Sequence, residues 1–439
     1  MLDTNPEMDL FDPPLPPMDE LRRIAPPRKQ HPPSRAALVI TSLLALVVVM
    51  GGVILFRAVF LPPANATGDR IVDGAAILVE ESSDAWTGML GGLQDIAAAI
   101  VEPLPVVATD DGTASVLFTL AGDDGRGVAF ALLADSPDGP ATMLLLPPDL
   151  LGIQPGYGDF PLSDSLRFEG PDLAAVTITN LLGLRVDAVV ALQPGQLERA
   201  LPGRLTVDLP VPLVVAGDDG VGDVVAAEGE AVRSAAEVER ILATAGTGDQ
   251  LDWLQRQGAV WSAVLAAVGE DPGIAQRMAA STIGEASLVT ALLGGAAGDD
   301  GFTLTTVPVS RVSVGGSGPR YALDGTGAHE FVAQRLGALL IRPGDRPRVE
   351  LLNGNGRIGT TRLVARELVR RGYRVVKTDN ADSFRYETTK VVAHGRDNQQ
   401  YAREVLGVLG EGDLLLEVRN PSGVVDISVI VGADIPVGE

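Results

Sequence analysis

R-V-E-L-L-N-G-N-G-R-I-G-T-T-R-L-V-A-R-E-L-V-R-R-G-Y-R-V-V-K, residues 348–377, reads without interruption as strand, turn, helix and strand. R-V-E-L-L-N is the first strand and N-G-N-G supplies the glycines of a tight turn. A helix follows over 360–371, Gly372 ends it, and Y-R-V-V-K is the second strand. Further on come the strand T-K-V-V-A-H, a helix over 397–409 stopped by Gly410, and the strands L-L-L-E-V and D-I-S-V-I-V. The order β-α-β-β-α-β-β predicts a small split βαβ sandwich over 347–435, with its helices on one face of the sheet.

Working back, R-P-G-D-R-P (342–347) is a linker, and residues 315–327 are rich in glycine with little apolar content. Between 113 and 341 the chain mixes strands and helices. S-V-L-F-T-L-A (115–121), V-A-F-A-L-L-A (128–134) and T-M-L-L-L (142–146) are short apolar runs separated by turn residues, and they read as neighbouring buried strands. Residues 173–182 have helical period, 186–192 and 205–211 are strands, and 237–244 and 251–268 are helices. One shared α/β core is the economical reading.

Nearer the start, residues 36–56 run from Ala36 to Phe56 as A-A-L-V-I-T-S-L-L-A-L-V-V-V-M-G-G-V-I-L-F without a charge. At ~1.5 Å per residue these positions reach about 32 Å, enough to cross a hydrocarbon core. The run is long for a signal peptide and no small-x-small cleavage pattern directly follows it, so a single transmembrane helix is predicted. Residues 1–35 are Pro-rich and expected to be a disordered cytoplasmic tail. Arg22, Arg23, Arg28, Lys29 and Arg35 outweigh Arg57 and Arg70 on the far side, which places the N-terminus inside and the C-terminal domains outside the cell membrane. Residues 57–112 are a linker and a helical segment.

Composition excludes several chemistries. The 439 residues contain no cysteine and only His31, His329 and His394, which argues against thiolate or histidine-rich metal centres and thiol nucleophiles. A net charge of -23 argues against nucleic acid as a partner. The charge is uneven: residues 57–346 carry 38 acidic and 16 basic side chains, and 347–439 carry 13 of each. Arg357, Arg362, Arg366, Arg370, Arg371 and Arg374 surround one helix, where pairing with Glu350 and Glu367 is the expected use. A-G-D-D-G occurs three times, ending at Gly125, Gly220 and Gly301, but without calcium-loop spacing, so these are turns. G-G-S-G-P-R (315–320) lacks nucleophile-elbow spacing, and N-G-N-G-R-I-G (353–359) lacks the G-K-S/T of a nucleotide loop.

V-E-L-L-N-G-N-G-R-I-G, the helix ending R-R-G-Y-R-V and the closing D-I-S-V-I-V-G-A-D together resemble the LytR C-terminal domain of envelope proteins, over nearly all of 348–434. The preceding region then resembles a diverged LytR-CpsA-Psr domain. T-L-A-G-D-D-G-R (119–126) sits at that family's Gly-x-Asp strand end. G-P-D-L-A-A-V-T-I-T-N-L-L-G-L-R-V-D-A-V-V (170–190) follows its helix-then-strand pattern, and L-Q-R-Q-G-A-V-W-S-A-V-L (254–265) is similar to its late R-Q helix. Taken with the apolar run at 36–56, the resemblance gives an expected α/β protein with an N-terminal transmembrane helix, a mixed α/β LytR-CpsA-Psr-like domain and a small split βαβ C-terminal domain.

Active members of such a family are implied to move a glycopolymer from a polyprenyl pyrophosphate to peptidoglycan with a divalent cation. Arginines grip the pyrophosphate and carboxylates place the cation. Here L-L-P-P-D (145–149) stands where Ser-Ile-Pro-Arg-Asp is expected, so Pro148 replaces an arginine; V-A-F-A-L-L (128–133) lacks an acid, and I-L-A-T-A-G-T-G-D (241–249) lacks an arginine pair. Asp123, Asp124, Arg126, Asp149, Arg167 and Arg256 are the remnant candidates. Each lost charged contact forfeits about 1.5–3 kcal/mol. The expectation is a membrane-anchored, non-catalytic envelope protein with no cofactor, whose partner is peptidoglycan, a lipid-linked glycopolymer or another envelope protein. The alternative is a divergent phosphotransferase that keeps the divalent cation. A cytoplasmic transcriptional regulator conflicts with the predicted topology.

Overall fold

The computed structural model describes residues 113–435 apart from 137–138, 218–221, 299–300, 314–319 and 418–422. All described residues belong to one compact unit. The tail, the apolar run 36–56 and the segment 57–112 lie outside the described residues. Among the described residues no helix is long and apolar enough to cross a membrane.

In chain order, β1 (Ser115–Ala121), β2 (Gly127–Ala134) and β3 (Ala141–Leu146) lead into β4 (Leu151–Gln154), β5 (Gly158–Pro161), α1 (Asp164–Glu169) and α2 (Pro171–Leu182). Next come β6 (Ala188–Leu192), α3 (Gln196–Ala200), β7 (Arg204–Leu209), β8 (Leu213–Ala216), β9 (Gly222–Ala226), β10 (Gly229–Ser234), α4 (Ala235–Ala243), α5 (Gln250–Glu270) and α6 (Gly273–Ala279). β11 (Thr282–Ile283), α7 (Ala286–Ala296), β12 (Phe302–Thr306), β13 (Val309–Val312), β14 (Arg320–Leu323) and α8 (Gly325–Arg335) complete a first module. The second consists of β15 (Arg348–Asn353), α9 (Thr360–Arg370), β16 (Arg374–Asn380), β17 (Lys390–His394), α10 (Gln399–Leu409), β18 (Asp413–Glu417) and β19 (Ile427–Val431).

The first module is a six-stranded mixed sheet, ordered β11-β6-β1-β2-β3-β12. Its central strands are continuous apolar runs because both faces are covered. Phe118, Leu133 and Leu145 point into the core under α4, α5, α6 and α7, while Leu117, Phe130, Leu132 and Leu144 face α2 and α8. α2 begins with Pro171 and closes on Gly183 in the left-handed region, whose N–H returns to the Thr179 carbonyl at 2.8 Å. α4 starts with a Ser234–Glu237 capping box and α5 with an Asp249–Asp252 box. The strands and helices expected over 115–268 are all present, but the expected glycine-rich stretch near 320 holds β14 and leads into α8.

The second module has the predicted β-α-β-β-α-β-β order, as a sheet ordered β16-β15-β19-β17-β18. β15 runs parallel to β16 and β19, and β17 parallel to β18 but antiparallel to β19. α9 and α10 pack on one face around Val349, Leu351, Val391, Val429 and Val431. The opposite face carries a hydrogen-bonded row across all five strands. Glu417 accepts from or is paired with His394 Nδ1 at 2.6 Å, His394 Nε2 meets Ser428 Oγ at 2.7 Å, Ser428 donates to Glu350 at 2.8 Å, and Lys377 donates to Glu350 at 2.6 Å. This replaces the expected arginine pairing of Glu350, whereas Glu367 does pair with Arg371 at 2.7 Å.

The two modules dock through buried polar contacts. Asn180 of α2 is 2 % exposed and donates to Val375 O at 2.9 Å while accepting Val375 N–H at 2.8 Å, so its side-chain amide completes the free edge of β16. Val176 of the same helix enters the second core. Glu169 pairs with Arg366 at 2.9 Å, and Arg362 donates to Tyr157 Oη at 2.7 Å.

Candidate functional site

β1 ends at Ala121 because the chain must turn: Gly122 N–H donates to Arg126 O, and Gly125 sits at φ 75°. The Asp124 carboxylate accepts the Arg126 N–H at 3.0 Å, so Asp124 shapes the turn itself. Asp123 and Asp124 are exposed and line an open cleft of about 510 Å³ with Glu198, Glu239 and Arg240. Glu239 is also committed, because it accepts the backbone N–H groups of Gly195 and Glu198. Four carboxylates against one guanidinium make this strand end acidic.

Arg126 leaves the turn on the other side. Its Nε lies 3.0 Å from Asp164 Oδ1, and Arg167 Nη2 reaches the same oxygen at 3.2 Å. The Asp164 side chain is 6 % exposed, whereas the two guanidiniums are roughly half-exposed. One buried carboxylate is therefore neutralised by two surface arginines. Asp164 was not among the sequence candidates. Its signal was its place one turn before Arg167 at the start of a helix, where an acid favours the amide dipoles.

Asp149 occupies the bend after β3, where Leu150 N–H donates to Pro147 O at 3.0 Å. Its carboxylate pairs with Arg320 of β14. Beside it, Asp249 accepts from Tyr321 Oη and pairs with Arg311, so the hairpin β13–β14 contributes two arginines to carboxylates far away in sequence. Spacing offers no signal for pairs so remote from one another.

Arg256 lies apart from the other candidates, inside the core. It is 2 % exposed, with Nη1 donating to Pro212 O at 3.3 Å and Nη2 to Ala245 O. Burial pulls its pKa down, and Asp252 only partly opposes this. The next residue, Gln257, is fully buried and donates to Val128 O at 2.9 Å and Leu242 O at 3.1 Å. The R-Q pair thus pins α5 to neighbouring backbone, because buried polar groups must be satisfied locally. The structure gathers Arg126 and Arg167 around Asp164 and leaves Asp123 and Asp124, Asp149, and Arg256 in separate surroundings.

The N-G-N-G-R-I-G loop is a self-satisfied turn. Asn353 Oδ1 accepts the N–H groups of Asn355 at 3.2 Å and Gly356 at 2.9 Å, and Asn355 Oδ1 accepts that of Arg357 at 2.8 Å. Between α2 and the sheet, Leu117, Phe130, Leu132, Leu144, Ala174 and Ile178 are all 0 % exposed, so no water-sized void touches them. Among the described residues no group of three His, Cys, Asp or Glu side chains has metal-holding geometry.

Comparison with known proteins agrees with the second module most directly. No curated protein matches this chain. Among solved structures, TagV from B. subtilis is similar over 54 % of this chain and 100 % of its own, with 18 % identity and a TM-score of 0.44. TagT from B. subtilis is similar over 54 % of this chain and 96 % of its own, with 20 % identity and a TM-score of 0.42. The LytR-CPS2A-psr family protein YwtF (TagT), solved with octaprenyl pyrophosphate lipid, is similar over 54 % and 94 %, with 21 % identity and a TM-score of 0.40. Residues 346–434 match the family model LytR_C, described as LytR cell envelope-related transcriptional attenuator, and so the second module is a LytR_C domain.

Proposed function

We propose that this protein works in the cell envelope by binding, with its LytR-CpsA-Psr-like region acting without transferase chemistry. The LytR_C domain supplies the link to the envelope. The observation that carries the reading is the fate of the three candidate arginines: Arg126 and Arg167 neutralise Asp164, and Arg256 is buried on carbonyls. A pyrophosphate needs several guanidiniums that are free to form paired hydrogen bonds. At the β1 end it would meet the carboxylates of Asp123, Asp124, Glu198 and Glu239 instead. No water-sized void touches Leu117, Phe130, Leu132, Leu144, Ala174 and Ile178 beneath α2, which favours a packed layer over an isoprenoid channel there. Residues 36–56 anchor the chain in the membrane, the Pro-rich tail stays inside, and both modules face outward. The partner is peptidoglycan, a lipid-linked glycopolymer or another envelope protein.

The test incubates the purified full chain with a lipid pyrophosphate-linked glycopolymer, peptidoglycan and a divalent cation. No transfer is expected. Transfer that Arg126→Ala abolishes would overturn the proposal in favour of the divergent phosphotransferase. Topology is read by a reporter fused after Glu439, expected to be active only outside the cell.

A further inference from the structure

A cavity of about 610 Å³ opens where the two modules meet, away from the strand ends described above. Leu181, Leu182, Leu323, Val332 and Leu340 form an apolar wall, and Arg346, Arg348 and Arg374 line it as well. The arginines differ in how their charge is used. Arg348 is matched, with Nε at 3.0 Å and Nη2 at 2.8 Å from the two Asp426 oxygens.

Arg346 has no carboxylate. It donates through Nε to Gly372 O at 3.1 Å, through Nη1 to Asn180 O at 2.9 Å and through Nη2 to Tyr373 O at 2.9 Å. Three carbonyls fix the guanidinium in place but carry no net charge, and each terminal nitrogen keeps a second hydrogen. Burial first, and then the neighbouring Arg374 cation, push its pKa down to about 10. Arg374 is solvent-accessible, and among the described residues nothing pairs with its guanidinium. Asp345 and Asp426 line the cavity too, but Asp426 is held by Arg348 and the exposed Asp345 forms no ion pair with Arg346 or Arg374, so three arginines outnumber two carboxylates at this junction in a chain whose net charge is -23.

We propose that this junction is a binding site for an amphiphilic anion. A phosphate or carboxylate head lies between Arg374 and the free hydrogens of Arg346, and an apolar body lies along the leucine wall. The head relieves the repulsion between the two guanidiniums, Arg374 can swing to form a paired contact, and the pre-fixed Arg346 loses no rotamer freedom on binding. Since α2, the inter-module linker and β16 all border the cavity, an occupant also bridges the two modules. The site does not depend on whether the first module has transferase activity.

The experiment is calorimetric titration of the full chain in a non-ionic detergent with hexyl phosphate, hexanoate and inorganic phosphate. Hexyl phosphate is expected to bind at least about tenfold more tightly than inorganic phosphate, because several methylenes leave water. Arg374→Glu is expected to weaken it by about tenfold or more, Arg374→Lys to keep part of the affinity, and the remote Arg385→Glu to leave it unchanged. Hexanoate binding as tightly as hexyl phosphate supports a general anion site, and a tenfold preference for hexyl phosphate supports a phosphate head. Absence of binding up to about 10 mM overturns the proposal, as does binding that Arg374→Glu leaves intact while the variant melts like wild type. Equal affinity for inorganic phosphate overturns the role of the apolar wall.

Discussion

Replacing Asn180 by alanine should loosen the joint between the modules while leaving the strand pairing within each sheet in place. The side chain makes three hydrogen bonds: to Ile153 O at 3.2 Å, to Val375 O at 2.9 Å and from Val375 N–H at 2.8 Å. Alanine leaves an N–H and two carbonyls unpaired where the amide was 2 % exposed. At about 1 kcal/mol of net stabilisation per hydrogen bond, the loss is about 3 kcal/mol, and more if water cannot reach the vacated edge. Because this edge belongs to β16 and the amide to α2, the loss falls on docking. Urea unfolding followed by fluorescence should therefore lose its midpoint and separate into two transitions. Amide exchange should speed up at Val375 but not at the central strands β1 and β2. A change below about 0.5 kcal/mol with a single transition would refute the claim that Asn180 couples the modules.

Other consequences are equally direct. Arg126→Ala or Arg167→Ala alone should cost under about 1 kcal/mol, since each is a roughly half-exposed partner of Asp164. The double variant should cost more than the sum, by about 3 kcal/mol or more, because Asp164 is left as an unpaired buried charge; a double-mutant cycle in urea measures this. Burial works to raise the Asp426 pKa, but side-chain and backbone hydrogen bonds from Arg348 outweigh it and hold the carboxyl below its ordinary value. Its contribution to stability is therefore present above the unfolded carboxylate pKa of about 3.9 and lost as pH falls through the folded one. Asp426→Asn should flatten that acid limb in thermal melts. Gly156 lies at φ 86°, and a Cβ there would fall 2.7 Å from the Arg362 Cα of the other module, so Gly156→Ala should destabilise by about 2 kcal/mol or more and should combine non-additively with Asn180→Ala.

Much of the second module was legible in the sequence because its elements are short, regular and joined by glycine-marked turns. Gly372 and Gly410 end α9 and α10 as expected, with φ 83° and 79°. The central strands of the first module were legible for a different reason: only a sheet covered on both faces permits runs such as S-V-L-F-T-L-A. The hairpin β13–β14 was hidden, since its arginine-bearing strands sit beside a glycine-rich stretch whose local chemistry signals only a loop. The surroundings of Arg256 were not legible, because a residue pattern records type, whereas burial and partners emerge only on folding.

The sequence by itself determined the apolar run at 36–56, the acidic imbalance of 57–346 and the alternation of elements, since each is a property of residue type and order along the chain. Tertiary structure alone decided where the charges go. Asp164 and Arg126 meet, as do Asp149 and Arg320, although 38 and 171 residues separate them. Asn180 and Val375 are 195 residues apart, and Arg346 and Arg374 become neighbours across a linker and a βαβ crossover. Coulomb interactions and hydrogen bonds act over a few ångströms of space, and no local pattern encodes which distant residues folding brings within that range.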